Sequence, residues 1–239
     1  MKEREITKQL VLEYRAQLLT KKKAQTVNGS LCAVNAFLAF CGRADCKVKL
    51  LKIQRKAFLE ESKELSREEY KRLLREARGR QNPRLYLLML TLGGTGIRIG
   101  ELRFITVEAV RAGCVAICLK GKTRAVILPK ELRRKLQRYI KGQGLQSGCV
   151  FCTKSGRPMD RSNICHAMKK LCGRARVRRE KVFPHNLRHL FARTYYAMEK
   201  DLAHLADLLG HSSIETTRIY VAVSASEHEH VLQKMRLIL

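Results

Sequence analysis

Apolar residues recur at three- and four-residue intervals through most of the chain, the spacing of helices with one buried face. In "EITKQLVLEYRAQLLT" and "AQTVNGSLCAVNAFLAFCG" this predicts two helices joined by the basic turn "KKK", the second ending at Gly42 as helices often do. The periodicity then lapses in the charged stretch "CKVKLLKIQRKAFLEESKEL". A small helical unit over residues 1–50 is therefore expected, followed by a linker over residues 51–64. The next start signal is "LSREEYKRLL", where Ser66 is placed as N-cap and Glu69, three residues on, completes a capping box. A second domain is expected from residue 65 to residue 239.

That domain continues through an apolar helix in "RLYLLMLTLGG" and a short helix in "TGIRIGELRFI". Two runs rich in β-branched residues follow, "CVAICL" and "RAVILP", separated by "KGKT", and read as a hairpin. After it come a helix in "KELRRKLQRYIKG", a short strand in "GCVFCT", a turn in "KSGRP", and helices to the end. In the tail, Val231, Leu232, Met235, Ile238 and Leu239 fall near one stripe, predicting a helix from about residue 224. No internal repeat stands out. The fold class is mainly α with a small antiparallel β-sheet (α+β).

Charge narrows the partner. The chain has 239 residues and carries 49 Lys plus Arg against 21 Asp plus Glu, a formal net charge of +28. Such an excess neutralises phosphates and releases their counterions, so a nucleic acid is the expected partner, bound in a salt-dependent way. No run of about 18 apolar residues could span a bilayer, and "MKEREITKQL" has no apolar signal core, which predicts a cytoplasmic protein without a membrane partner. Nine cysteines in a chain of this length fit a reducing compartment. Cys149 and Cys152 in "CVFC" have a zinc-like spacing. The next pair, Cys165 and Cys172, shares its segment with Ile164, Met168 and Leu171 at helical spacing, so cysteine there reads as a small apolar filler and no metal is expected.

Four separated places carry groups suited to a phosphodiester. In "TGIRIGEL", Arg98 and Glu101 lie three apart, so the carboxylate can brace the guanidinium. Lys120 stands at the hairpin tip in "LKGKTR", with Lys122 competing for the same role. In "FPHNLRHLFA" a helix starts at Pro184, which suits the first turn because it lacks an N–H. His185 and Arg188 then share a face of that start, where unpaired backbone N–H groups and the helix dipole favour an anion. In "LLGHSSIETTRIYV", Gly210 ends one helix, Ser212 or Ser213 caps the next, and His211 precedes Tyr220 by nine residues. Each has an ordinary reading alone: a surface ion pair, a solvated tip, a loop histidine, a core aromatic. Together they match phosphoryl transfer, in which guanidiniums stabilise the nonbridging oxygens, tyrosine attacks phosphorus, and lysine protonates the leaving oxygen.

These four motifs, in unbroken order over about residues 62 to 223, resemble the catalytic domain of the tyrosine recombinases, the phage-integrase family of site-specific DNA recombinases. The resemblance implies that Arg98 and Arg188 clamp the scissile phosphate, Lys120 is the general acid, His185 assists proton transfer, His211 donates to the phosphate and Tyr220 is the nucleophile. Glu101 and His189 would support the site, and Lys122 and Arg124 would contact DNA. It further implies double-stranded DNA as partner, a homotetramer on paired sites from a protein monomeric when free, a 3′-phosphotyrosyl intermediate, no cofactor, and a bacterial, phage or mobile-element setting. The tail would dock on a neighbouring protomer. Residues 1–45 match only the last two helices of the family's core-binding (SAM-like) domain, which implies a trimmed or minimal unit, without a separate arm-binding domain. Two other activities fit the same groups: topoisomerase IB-like strand cleavage, and DNA binding without recombination by a truncated regulator.

Overall fold

The structure, a computed structural model, describes residues 6–53, 61–79, 82–119, 121–153, 156–211, 213–218, 220 and 233–234. Lys120, Ser212 and all but two residues of the expected tail helix lie outside the described residues, as do the side chains of Glu61 and Lys122. The chain forms two compact units, Met1–Ala57 and Phe58–Leu239.

The first unit is a helical hairpin of α1 (Lys8–Lys21) and α2 (Ala24–Phe40). Thr7 starts α1, its hydroxyl accepting from the Leu10 N–H at 3.3 Å. A 3-10 turn, Ala44–Cys46, follows Gly42, whose φ of 71° only glycine adopts without strain. Val11, Val27, Leu31, Leu38, Cys46 and Val48 form a small core. Two asparagines seven apart on α2 then tie down the extended chain that leaves the unit. The Asn35 amide accepts from the Val48 N–H (3.1 Å) and donates to the Val48 carbonyl (2.9 Å). Asn28 does the same to Leu51, at 2.8 and 2.9 Å. Each side chain satisfies both backbone groups of one residue, as a neighbouring strand would.

In the second unit, α3 (Arg67–Gly79) opens on the anticipated capping box. The Glu69 N–H donates to Ser66 Oγ at 3.1 Å, and the Ser66 N–H donates to Glu69 Oε2 at 2.8 Å. Helix α4 (Pro83–Thr95) is apolar on most sides because it is central, packing against α3, α6 and α9. It stops at Gly96 with φ 65°, where a Cβ would lie 2.4 Å from the Phe191 ring. The stretch expected to be a short helix is a 3-10 helix, Ile99–Phe104, and a helix that the hydrophobic pattern does not signal, α5 (Val107–Ala112), follows it under a Thr106 cap.

Strands β1 (Cys114–Leu119) and β2 (Lys122–Ile127) form an antiparallel hairpin in register Cys114↔Ile127 to Leu119↔Lys122. Val115 and Ile117 point inward while Cys114, Ala116 and Cys118 face out, the alternation of a half-buried strand. The loop is shorter than "KGKT" suggests, since Lys122 and Thr123 pair and only residues 120 and 121 connect the strands. Gly121 supplies the positive φ, 74°, that so tight a loop demands.

The remaining helices are α6 (Lys130–Gly142), α7 (Arg161–Lys169), α8 (Cys172–Ala175), α9 (Pro184–Glu199), α10 (Leu202–Leu209) and α11 (Ile214–Arg218). The strand expected in "GCVFCT" does not form. Cys149 bridges Thr106 and Cys152 bridges Pro158, so the two ends of the stretch pair in different directions around a turn at Gly156. One large core runs from Leu65 to Leu190, and a satellite of Ala192, Leu205, Leu209 and Tyr220 sits beside it. Among the described residues no helix is long and apolar enough to cross a membrane.

Candidate active site

The site is assembled where several backbone turns converge on one guanidinium. Pro184 starts α9 so that Arg188 lies one turn in, and its neighbours Leu187 and Leu190 pull that face into the core. Arg188 is consequently 1% exposed, although the amphipathic pattern alone allows a solvated arginine. A buried cation needs partners. Its Nη1 donates to the Gly96 carbonyl at 2.6 Å, and its Nη2 to the Leu209 carbonyl at 2.7 Å. Both acceptors lie at helix ends, where carbonyls lack intrahelical partners. Nη2 also lies 2.9 Å from His211 Nε2. The Nε–H is buried and has no partner among the described residues, a donor left unspent. Burial pushes Arg188 down to about 10, with the Arg98 charge acting the same way and Tyr220 opposing it, so the guanidinium stays charged at neutral pH.

The Arg188 contact fixes a tautomer. A guanidinium has only donors, so His211 Nε2 must be the acceptor and the ring proton sits on Nδ1. That Nδ1–H donates to Thr217 Oγ1, 2.8 Å away. Thr217 is buried on α11 and was not anticipated; nothing in "IETTRIY" distinguishes it from the adjacent Thr216. Burial first, then the charges of Arg188, Arg98 and Arg124, holds His211 down to about 4. Ser213 caps α11, its Oγ accepting from the Glu215 N–H at 3.2 Å.

Arg98 and Glu101 flank the same place. Glu101 is 1% exposed and accepts four bonds. Arg98 donates its backbone N–H at 2.7 Å and Nη1 at 3.1 Å, and Arg124 on β2 donates Nη1 at 3.0 Å and Nη2 at 2.8 Å. Burial acts to raise the Glu101 carboxyl, but the Arg124 bonds and the Arg98 N–H outweigh it and hold the group below the usual carboxylate range. Arg98 keeps 43% of its side chain exposed and donates Nη2 to the Gly210 carbonyl at 3.3 Å. Arg124, expected on DNA, has both terminal nitrogens committed to Glu101.

Tyr220 follows α11 with its N–H on the Thr217 carbonyl at 2.9 Å. Its ring is 5% exposed and stacks on His211 with centroids 5.4 Å apart. His189 meets it edge-on at 4.5 Å and His185 at 5.7 Å. His185 is pushed down to about 4 by burial, then by His189 and Arg188. His189 Nδ1 lies 3.3 Å from Glu64 Oε1, and Glu64 also accepts from Arg193 at 3.3 Å. Glu64 falls in the expected linker, and no local pattern signals its place beside the site. Arg98, Glu101, Arg124, His185, Arg188, His189, His211 and Tyr220 are thus brought together. Among the described residues no group of three or more His, Cys, Asp and Glu side chains is arranged to hold a metal ion.

The sequence model of the phage integrase family matches residues 63–227, which contain every one of these positions. The chain belongs to the phage integrase family. Among its relatives, the tyrosine recombinase XerA of Thermococcus kodakarensis is 31% identical over 183 residues, 74% of this chain and 64% of that protein. The tyrosine recombinase XerC of Erythrobacter litoralis is 34% identical over 173 residues, 69% of this chain and 56% of that protein. The matched region thus spans less than two thirds of the length of these family members. A crystal structure of XerA recombinase superposes with a TM-score of 0.64 at 24% identity, over 98% of this chain and 85% of that one. The XerH recombinase in a post-cleavage complex with a palindromic difH substrate gives a TM-score of 0.77 at 22% identity, over 95% and 69%. At these identities the superpositions establish the fold: mainly helical, with a small two-stranded antiparallel sheet and a helical N-terminal unit, as the sequence pattern implied.

Proposed function

We propose that this chain is a site-specific DNA recombinase that cuts and rejoins duplex DNA through a 3′-phosphotyrosyl intermediate. The observation that carries the reading is the buried Arg188. Its unspent Nε–H, the half-exposed Arg98 guanidinium, His211 and Tyr220 converge from separated motifs. Two guanidiniums there suit the nonbridging oxygens of a phosphodiester, whose negative charge grows in the transition state.

In the proposed reaction the Tyr220 oxygen attacks phosphorus while its proton passes to neutral His185. The P–O5′ bond breaks, and the departing O5′ takes a proton from Lys120. Once the phosphate displaces its contact with Arg188 and adds negative charge beside the ring, His211 Nε2 takes up a proton from solvent water and donates it in a hydrogen bond to a nonbridging oxygen. Attack by a 5′-hydroxyl on the phosphotyrosyl bond reverses these steps, rejoins DNA and frees Tyr220. Phosphoester energy is retained throughout, so neither ATP nor another cofactor is required. Glu101 and His189 support the clamp, and Lys122 contacts DNA. Residues 1–50 act as the core-binding unit, residues 51–64 as linker and residues 65–239 as the catalytic domain. Action on paired sites requires a homotetramer assembled on DNA from free monomers, in the cytoplasm.

Nicked duplexes of randomised sequence, captured covalently and recovered after SDS denaturation, supply a cleavable site. Tyr220→Phe removes the attacking oxygen and keeps the ring, so this variant should bind the selected duplex and form no SDS-resistant adduct. An adduct at the wild-type level in that variant would show that another residue attacks.

A further inference from the structure

Arg124 is the second guanidinium on Glu101, and its surroundings differ from those of a DNA contact. Its side chain is 15% exposed, and both terminal nitrogens lie on the buried carboxylate at 3.0 and 2.8 Å. It also lies directly under the turn that carries His211. A Cβ on Gly210 would fall 2.5 Å from Arg124 Nη1 and 2.7 Å from its Cδ, so the absence of a side chain at Gly210 lets the guanidinium in. Gly210 in turn accepts from Arg98 Nη2. One residue of the hairpin therefore touches both the Arg98–Glu101 pair and the corner before His211.

The charge count gives this position a purpose. Glu101 orients Arg98 through its backbone N–H and Nη1, but one carboxylate paired with one guanidinium has no net charge left for a phosphate. With Arg124 as a second cation the trio carries a net positive charge. Arg98, the more exposed of the two guanidiniums, presents that charge to the site.

We propose that Arg124 is a positioning residue: it supplies the counter-charge of Glu101, so that Glu101 aims Arg98 without cancelling it, and it makes no contact with DNA itself. The inference rests on the recombinase reading above and deepens it.

The test compares Arg124→Gln, Arg124→Lys, Lys122→Gln and the double variant Arg124→Gln/Glu101→Gln in the full chain. Two quantities are read: the salt dependence of binding to the selected duplex, and the rate of adduct formation at saturating protein. A lost phosphate contact lowers the slope of log K against log salt by about 0.9. That loss is expected for Lys122→Gln, whereas Arg124→Gln should keep the wild-type slope. A misplaced and partly neutralised Arg98 should slow adduct formation in Arg124→Gln by about 10²-fold, on the scale of a 1 Å misplacement or a lost transition-state donor. Arg124→Lys retains the charge and should recover part of that loss. The double variant removes the carboxylate charge together with its counter-ion, so it should react faster than Arg124→Gln, a rescue that a merely structural role does not give. A slope lowered by about 0.9 in Arg124→Gln, or a double variant slower than the single one, overturns the proposal. Should Arg124→Gln fail to fold, the double variant still decides it, because it lacks the Arg124 charge and a slope lowered by about 0.9 in that variant overturns the proposal. Failure of the wild type to form any adduct counts against the recombinase reading instead.

Discussion

Gly210→Ala places one methyl group where three motifs meet. Gly210 has φ 64°, and an alanine there pays roughly 1–2 kcal/mol for left-handed backbone. The new Cβ would also lie 2.5 Å from Arg124 Nη1 and 2.7 Å from Arg124 Cδ. Because Cδ belongs to the stem, rotating the guanidinium is not enough, and the side chain must withdraw from Glu101. Losing a charge-assisted bond to a buried carboxylate costs about 1.5–3 kcal/mol. The two effects together give a destabilisation of roughly 3–5 kcal/mol, which for a unit of this size lowers the thermal midpoint by on the order of 10 °C. The chain has no Trp, so unfolding is followed by far-ultraviolet circular dichroism in urea. In an Arg124→Ala background the steric part vanishes, and Gly210→Ala should cost only the backbone strain, about 1–2 kcal/mol. The difference between backgrounds is the coupling between the two positions. Equal costs in the two backgrounds would refute the account of Gly210 as the seat of Arg124.

Acid should unfold the protein earlier than its carboxylates require. His185 and His211 are each held down to about 4, so between about pH 6.5 and 4 the unfolded chain binds more protons than the folded one. Stability falls as pH drops through that window and is restored above it, and urea midpoints at about pH 7.5 and 5.0 should show this. His211→Gln should lessen the drop; an unchanged pH dependence would contradict the assignment. In the first unit, Asn28→Ala and Asn35→Ala each remove two bonds to backbone and should cost about 1–3 kcal/mol. Hydrogen exchange should speed at the Leu51 amide in the first variant and at the Val48 amide in the second, and unchanged protection would show that these clasps are not formed in solution.

Local physics makes much of this protein legible from its residues in order. The Ser66–Glu69 box, Pro184 at the head of α9 and the alternation of Val115 and Ile117 are matters of a few neighbouring residues, so short-range patterns report them directly. Arg98 with Glu101 and His185 with Arg188 are readable for the same reason, since the members of each pair lie three residues apart and share a turn, whereas the nine residues from His211 to Tyr220 are brought together only by the fold of α11. Pattern misleads where the competing effect is local but subtle, as in the hairpin loop, which twist shortens to two residues, and in "GCVFCT", whose ends find different partners.

Which charge meets which is a matter of packing. Glu101 takes Arg124 from 23 residues away, His189 lies against Glu64 from 125 residues back, and one carbonyl that receives Arg188 lies 92 residues before it. Sequence spacing measures distance along the chain, whereas a Coulomb pair depends on distance in space and on the water excluded between its members. Composition marks Arg124 as one more cation suited to DNA. Folding buries Glu101 beside it, and an unpaired buried carboxylate costs far more than a solvated arginine gains, so the pair closes inward. The order of residues specifies the helices, the hairpin and the set of titratable and charged groups; the packed chain sets their protonation, their partners and which of them stay exposed.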